Sequence, residues 1–98
     1  MGKYQLTNLA VQDLSDIWNY TFDNWSERQA DSYHEQLVNA FEFIASTPSQ
    51  GRNYAGIRAG LYGFKVNRHI AFFRIISIEL VEITRILHER MDLKNRLK

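Results

Sequence analysis

The segment RILHERMD, residues 85–92, concentrates side chains that can move protons or bind phosphate. It places His88 between two arginines and beside two carboxylates. A histidine titrates near neutral pH, and cations stabilise a pentavalent phosphate, so a metal-free ribonuclease could use these residue types. If the chain is a nuclease, Lys65, Arg85 and His88 are the catalytic candidates. If the segment only binds a partner, the chain has no catalytic residue.

The sequence contains no pattern that holds a metal or a cofactor. His34, His69 and His88 lie far apart, and no H-E-x-x-H motif or carboxylate–histidine cluster occurs. There is no cysteine, which excludes disulfides and thiolate ligands. Glycine-rich phosphate loops and dinucleotide-binding turns are also absent. We therefore predict no metal and no cofactor.

The charge is divided between the two halves of the chain. Residues 1–51 hold two Lys or Arg against seven Asp or Glu, a net −5, and residues 52–98 hold ten against four, a net +6. A basic half predicts an acidic partner, protein or nucleic acid, unless the asymmetry only aids solubility. The sequence has no signal peptide and no apolar run long enough for a bilayer, which predicts a cytoplasmic protein without membrane attachment.

The elements that must position these residues begin with a short strand and two helices. KYQLT alternates as a strand does, and Thr7 can cap the helix that follows. Apolar residues then recur at helical spacing from Leu9 to Trp25. SERQ, residues 26–29, is a capping box for a second helix, which Pro48 ends near Thr47. The turn between the helices is very short, so they should form an antiparallel hairpin.

The second half predicts strands joined by tight turns. The runs IRAGLYGFKV, HIAFFRII and LVEITRILH are rich in β-branched and aromatic residues. The fold class is therefore α+β: an N-terminal strand, then a helical hairpin on a small, mainly antiparallel sheet of three to four further strands. We expect one domain over residues 1–98. Residues 89–98 form a basic tail, which is either a short helix or disordered when free.

Two of the strands are apolar on both faces. In HIAFFRII, Ala71, Phe73 and Ile75 should meet the helices. The other face would then leave Ile70, Phe72 and Ile76 in water beside Arg74. LVEITRILH repeats this theme, with Val81, Ile83, Arg85 and Leu87 on one face. An open apolar strip edged by cations predicts a binding surface for a partner segment.

Three segments together resemble the ParE toxins of bacterial toxin–antitoxin pairs, within the wider ParE/RelE superfamily. They are LTNLAVQDLSDIWNYT, GIRAGLYGFKVNRHIAFF and ITRILHERMD, and the resemblance spans Tyr4 to Asp92. It implies a helical hairpin on a small antiparallel sheet. It also implies a toxin that traps the cleaved-DNA complex of gyrase, supports plasmid stabilisation and forms a hetero-oligomer with a ParD-like antitoxin. No sequence-specific nucleic-acid binding is expected.

The resemblance implies two groups of contact residues. The antitoxin-binding candidates are Arg58, Arg68, Ile70, Phe72, Arg74 and Arg85. The target-binding candidates, in the tail that would engage gyrase, are His88, Arg90, Met91, Lys94 and Arg96. Two alternatives stay open: a RelE-like ribosome-dependent mRNA endoribonuclease, and an inactive copy that only binds an antitoxin-like partner.

Overall fold

The computed structural model of the protein describes residues 2–97. The elements are β1 (Lys3–Leu6), α1 (Asn8–Asn24), α2 (Glu27–Ser46), β2 (Arg52–Asn53), β3 (Tyr62–Val66), β4 (His69–Ser77), β5 (Leu80–His88) and α3 (Leu93–Arg96), with a 3₁₀ turn at Pro48–Gln50. This order confirms the predicted α+β class. Met1 and Lys98, the ends of the predicted domain, lie outside the described residues. In the range 2–97 no helix combines the length and apolarity needed to span a membrane.

Both long helices begin at hydroxyl side chains, as the sequence predicts. The Thr7 and Ser26 side-chain oxygens each accept from the amide three residues later, at 3.1 Å in both cases. Each bond satisfies an N–H group that the first helical turn leaves without a partner. α2 ends at Ser46 because Pro48 disfavours a helical residue before it.

The sheet has five strands in the order β1-β5-β4-β3-β2. β1 pairs with β5 in parallel, and the other three pairings are antiparallel. The first strand thus joins the strand most distant from it in sequence. A parallel pair cannot be joined by a tight hairpin, and here both long helices and the strands β2 to β4 lie between β1 and β5 in the chain.

A β-bulge in β5 changes which of its side chains lie on each face of the sheet, compared with the prediction. The sequence assigns one face to Val81, Ile83, Arg85 and Leu87. In the structure, Val81 and Ile83 face the long helices, whereas Leu87 faces the opposite side. The cause is an extra residue, Thr84, at which the register of β5 against β4 shifts by one.

The main core lies between the helical hairpin and one face of the sheet. Its largest members are Phe41, Leu37 and Ile44 from α2, which meet Phe73 and Ile83 from the strands. These side chains are fully or almost fully buried. Burial of this apolar area is the dominant favourable contribution to folding. It fixes the sheet beneath the hairpin and so positions the strand ends.

The opposite face of the sheet is also covered, which the sequence analysis did not predict. The loop between β2 and β3 and helix α3 enclose a second core, made of Leu61, Ile70, Phe72, Leu87 and Leu97, with Tyr54, Ile57 and Leu93 packed against it. The prediction that Ile70 and Phe72 lie in water is therefore wrong. IRAGLYGFKV is likewise not one strand, because β3 begins only at Tyr62 and the residues before it build this cover.

Two glycines make this cover possible. Gly60 has φ +77°, a conformation that favours glycine, and it turns the loop back into β3. A Cβ on Gly63 would lie 2.7 Å from the ring of Tyr54 and 2.9 Å from Ile70. The absence of a side chain at Gly63 therefore lets the Tyr54 ring pack closely on the second face.

Candidate functional site

An open cavity of about 880 Å³ lies between the two long helices and the end of the sheet. We refer to it as the histidine cavity. Tyr20 and Trp25 line it from the helical side, Arg68 from the turn between β3 and β4, and Met91 from the segment after β5. Trp25 continues the apolar stripe of α1 in sequence, yet its side chain is 70% exposed. Exposed aromatic and basic side chains beside a concavity are typical of a binding surface.

Tyr33, His69 and His88 form a connected cluster on the wall of this cavity. The pairing of β4 with β5 places His69 directly opposite His88. The two ring centroids are 5.3 Å apart, with an angle of 81° between the ring planes. Tyr33 comes from α2, and its hydroxyl oxygen lies 2.6 Å from Nδ1 of His69 and donates to the Val66 carbonyl at 3.1 Å.

The hydrogen bonds fix the tautomer of neutral His88 but leave two arrangements for His69. Nδ1 of His88 accepts from the Arg90 amide at 3.1 Å, which places the proton of neutral His88 on Nε2. When the Tyr33 hydroxyl donates to the Val66 carbonyl, Nδ1 of His69 donates to the hydroxyl and Nε2 is left as an acceptor. When the hydroxyl donates to Nδ1 of His69 instead, Nε2 carries the proton.

Tyr33 and His69 are uncharged at neutral pH. Burial, reinforced by the neighbouring His88, lowers the pKa of His69 to about 4. Burial also raises the pKa of Tyr33 above its ordinary value. A neutral imidazole beside a protonated phenol suits polar recognition, and it makes His69 a weak base.

The three nuclease candidates do not converge. Lys65 lies opposite Ile70 on the second-core face and contacts the Glu89 carboxylate at 3.2 Å. The hydrogen bond from Lys65 lowers the pKa of Glu89. His88 lies on the other face, against His69. Residues directly opposite in a sheet point to the same face, so Lys65 and His88 point to different faces.

Arg85 is held in a structural ion pair. Its Nε and Nη2 donate to the Asp13 carboxylate at 2.7 and 3.0 Å, and the same carboxylate accepts from the Ile86 amide at 3.0 Å. Asp13 thus covers the edge of β5 beyond the end of β1. The hydrogen bond to Asp13 raises the pKa of Arg85. The predicted role of Arg85 in catalysis or antitoxin binding would require this pair to open.

The other antitoxin candidates occupy separate places. Arg58 is exposed on the loop that covers the second core, and Arg68 is exposed at the histidine cavity. Arg74 is exposed on β4, farther along the second face. Ile70 and Phe72 are buried beneath the loop and α3. A partner can therefore reach the three arginines directly, and the two apolar residues only after the cover has moved.

The target candidates lie near one end of the molecule. His88 and Met91 line the histidine cavity, and Arg90 lies between them with an exposed side chain. Lys94 and Arg96 are exposed on α3. That helix also carries the Arg96 carbonyl, which accepts from Nη1 of Arg85 at 3.5 Å. The tail is therefore a packed element with an exposed basic side.

Tyr33 and Trp25 were not assigned to a site from the sequence. A two-residue turn after β4 would have placed His69 opposite His88, so this pair was predictable from the strands alone. The position of the Tyr33 side chain depends on how α2 lies over the sheet, and no local sequence pattern predicts that packing. Among residues 2–97 there is no group of three or more His, Cys, Asp or Glu side chains that could hold a metal ion.

Comparison with known proteins places this geometry in a family. The toxin ParE1 of Mycobacterium tuberculosis strain CDC 1551 is 33% identical over 96 residues, which cover 98% of both chains. The toxin ParE1 of Caulobacter vibrioides is 35% identical over 97 residues, which cover 99% of both. A solved structure described as a chromosomal ParDE TA system from P. aeruginosa shares the fold, with a TM-score of 0.77 at 19% identity over 90% of this chain and 96% of that one.

The match to a family model agrees with these relatives. The model is described as the ParE toxin of the type II toxin-antitoxin system, parDE, and it matches residues 4–93. That range includes both long helices, all strands from Tyr4 onward and the Tyr33–His69–His88 cluster. The chain belongs to the ParE toxin family of type II toxin–antitoxin systems.

Proposed function

We propose that this toxin inhibits DNA gyrase by trapping its cleaved-DNA complex, and that a ParD-like antitoxin neutralises it. Family membership supports the proposal. The observation that carries it is the division of Lys65, Arg85 and His88: two lie in ion pairs, and His88 faces a different side of the sheet from Lys65. The histidine cavity instead gathers exposed side chains suited to binding. The toxin then catalyses no reaction itself, and the DNA break is made by gyrase.

In this proposal the antitoxin and the target bind overlapping surfaces of the toxin. Arg68, an antitoxin candidate, lines the same cavity as the target candidates His88 and Met91. A partner segment bound over Arg68 would cover part of the surface that His88 and Met91 offer to the target. An antitoxin segment bound there therefore excludes the target by occupying its contact surface.

Charge makes an acidic antitoxin segment the fitting occupant. Arg58, Arg68 and Arg74 are exposed on the half of the chain whose net charge is +6. Acidic side chains of a segment that is disordered when free could pair with them as it folds onto the toxin. The expected product is a hetero-oligomer of toxin and antitoxin.

The direct test uses purified gyrase, ATP and supercoiled plasmid, with and without this protein. We expect accumulation of cleaved DNA with gyrase covalently attached, and its suppression by a ParD-like antitoxin. If gyrase supercoils normally at saturating toxin, the proposed target is wrong.

Substitutions in the cavity locate the contact. Trp25→Ala and Met91→Ala should each raise the toxin concentration needed for cleavage about tenfold, as expected for anchors at an interface. Phe43→Ala is a matched control, because Phe43 is an exposed aromatic residue outside the cavity. Equal losses for Trp25→Ala and Phe43→Ala would place the contact elsewhere.

The tail is better tested by substitution than by deletion. Removal of residues 89–98 would also take Leu93 and Leu97 from the second core, and a loss of activity could then reflect unfolding. Lys94→Ala and Arg96→Ala change only exposed side chains. We expect this pair of changes to weaken gyrase inhibition without lowering the melting temperature.

A second candidate function is ribosome-dependent mRNA cleavage, favoured by the two histidines 5.3 Å apart in one cavity. If His88 is the general acid, His88→Ala should reduce cleavage about 10²–10⁴-fold. The test is an mRNA cleavage assay on translating ribosomes. Cleavage that His88→Ala abolishes, together with no effect on gyrase, would favour this function over the first.

A further inference from the structure

Helix α1 carries a second apolar stripe that the core does not use. Val11, Trp18 and Phe22 are seven and four residues apart, which places them on one side of the helix. The core stripe of α1, with Ala10, lies on a different side. Val11 and Phe22 are exposed, and the rings of Trp18 and Phe22 stack at 5.2 Å with an interplanar angle of 12°.

Val11 and Trp18 of this stripe line a shallow groove of about 500 Å³ between the two long helices, and Phe22 extends the apolar surface through its stacking on Trp18. We refer to it as the outer groove. Its lining comprises Val11, Leu14, Ser15 and Trp18 from α1 with Asp31 and His34 from α2. The Trp18 indole N–H donates to the Asp31 carboxylate at 3.0 Å. That bond joins the apolar stripe to the neighbouring helix and fixes the indole in the groove.

The helical hairpin around the outer groove is strongly acidic. Residues 8–46 contain seven Asp or Glu and a single basic residue, Arg28. Asp13 is neutralised by its ion pair with a strand residue. Asp31, Glu35 and Glu42 are exposed and spaced by four and seven residues, so they follow one side of α2. An apolar stripe with a row of carboxylates beside it favours a cationic partner.

We propose that the outer groove binds a basic amphipathic helix of a partner protein. Its apolar side would pack on Val11, Trp18 and Phe22, and its lysines or arginines would face the carboxylates of α2. This surface is opposite in charge to the arginine-bearing surface assigned to the antitoxin. It is also lined by different residues from the histidine cavity, so both surfaces can be occupied together.

The probe is a labelled peptide of about five helical turns, roughly 18 residues, with leucines on one side and lysines on the other. Its matched control has glutamate at every lysine position. Fluorescence anisotropy with the full chain should show that the lysine peptide binds at least tenfold more tightly, and that added salt weakens its binding. Equal affinity for the two peptides would overturn the proposal.

Two matched pairs of variants then locate the binding surface. Phe22→Ser should weaken binding of the lysine peptide about tenfold, whereas Phe43→Ser should not, although the two side chains are 46% and 45% exposed. Glu35→Lys, in the row of carboxylates along α2, should weaken it, whereas Asp23→Lys, the same charge change on an exposed residue of α1 outside that row, should have a smaller effect. If Phe43→Ser weakens binding as much as Phe22→Ser, the peptide binds elsewhere.

Discussion

The two faces of the sheet are both covered, but by elements of very different size. Helices of 17 and 20 residues cover the first face. The second has only a loop and a four-residue helix over it. An isolated helix of four residues is not stable in water, so α3 exists because Leu93 and Leu97 pack on the sheet. The helical face therefore carries the larger core, and the second face is closed by segments that hold their structure only against the sheet.

The largest loss of stability should come from a substitution in the core beneath the helices. Phe41 and Phe43 are neighbours on α2, with exposed fractions of 0% and 45%. Phe41→Ala should lower the free energy of unfolding by about 3–5 kcal/mol, since it leaves a cavity among packed side chains. Phe43→Ala removes mainly its contact with Phe64 and should cost about 1 kcal/mol or less.

Urea unfolding measures both variants. Should Phe41→Ala be too unstable to purify, Phe41→Leu provides a milder change at the same position. Similar losses at the two positions would show that α2 does not lie on the sheet as described.

A substitution in the second core should lower the free energy of unfolding by a smaller amount. Leu97 is 6% exposed, and Leu97→Ala should lower the free energy of unfolding by about 2–3 kcal/mol, near the lower end for a buried leucine. Lys94→Ala, an exposed change on the same helix, should be nearly neutral. Amide exchange adds a sharper measurement. In Leu97→Ala, α3 should lose its protection while α2 retains it, and loss in both would mean that the two faces unfold together.

One ion pair joins the helical layer to the sheet. Breaking it should lower the free energy of unfolding by less than either core substitution does. Asp13 belongs to α1, whereas Arg85 lies opposite Phe72 of the second core. Asp13→Asn removes the charge and keeps an oxygen for the strand amide, so we expect a loss of about 1–2 kcal/mol. Asp23→Asn is the control, because Asp23 is an exposed aspartate of the same helix. A neutral result for Asp13→Asn would show that the pair contributes nothing to joining the layers.

The first face was predictable from the sequence, and the second was not. Helical periodicity, the caps at Thr7 and Ser26, and the strand runs are local patterns, and they predicted the hairpin and its sheet. The second cover is a loop and one helical turn, too short for periodicity to be read. The bulge at Thr84 changed the face of later side chains without any marker such as glycine.

Some residues of the candidate site were likewise predictable from the sequence, and others were not. His88 and Met91 were assigned from the tail and do line the histidine cavity. Tyr33 was missed because its position depends on the packing of α2 over the strand ends. The pairing of Arg85 with Asp13 joins residues 72 positions apart, which no local spacing can indicate.

The smallest expected effect is on the pH dependence of the free energy of unfolding. His69 and Glu89 lie on opposite faces of the sheet, and they should lose their contributions to stability in different pH ranges. His69, on the helical side, has its pKa lowered from 6.5 to about 4. The unfolded chain therefore takes up a proton near pH 6.5, before the folded one does, and stability falls as the pH drops from about 6.5 to 4. Glu89, on the other side, has its pKa lowered by Lys65, so its contribution is present above pH 4.5 and is lost only below that value.

Urea unfolding at pH 7 and pH 5.5 separates the two groups. The wild-type protein should lose on the order of 1 kcal/mol between these values, after allowance for the partial exposure of His69. His69→Asn keeps an amide donor near the Nδ1 position for Tyr33 but cannot titrate, so its loss should be smaller. Glu89→Gln should behave as the wild type does in this range. If His69→Asn has the wild-type pH dependence, the protonation that destabilises the fold occurs elsewhere.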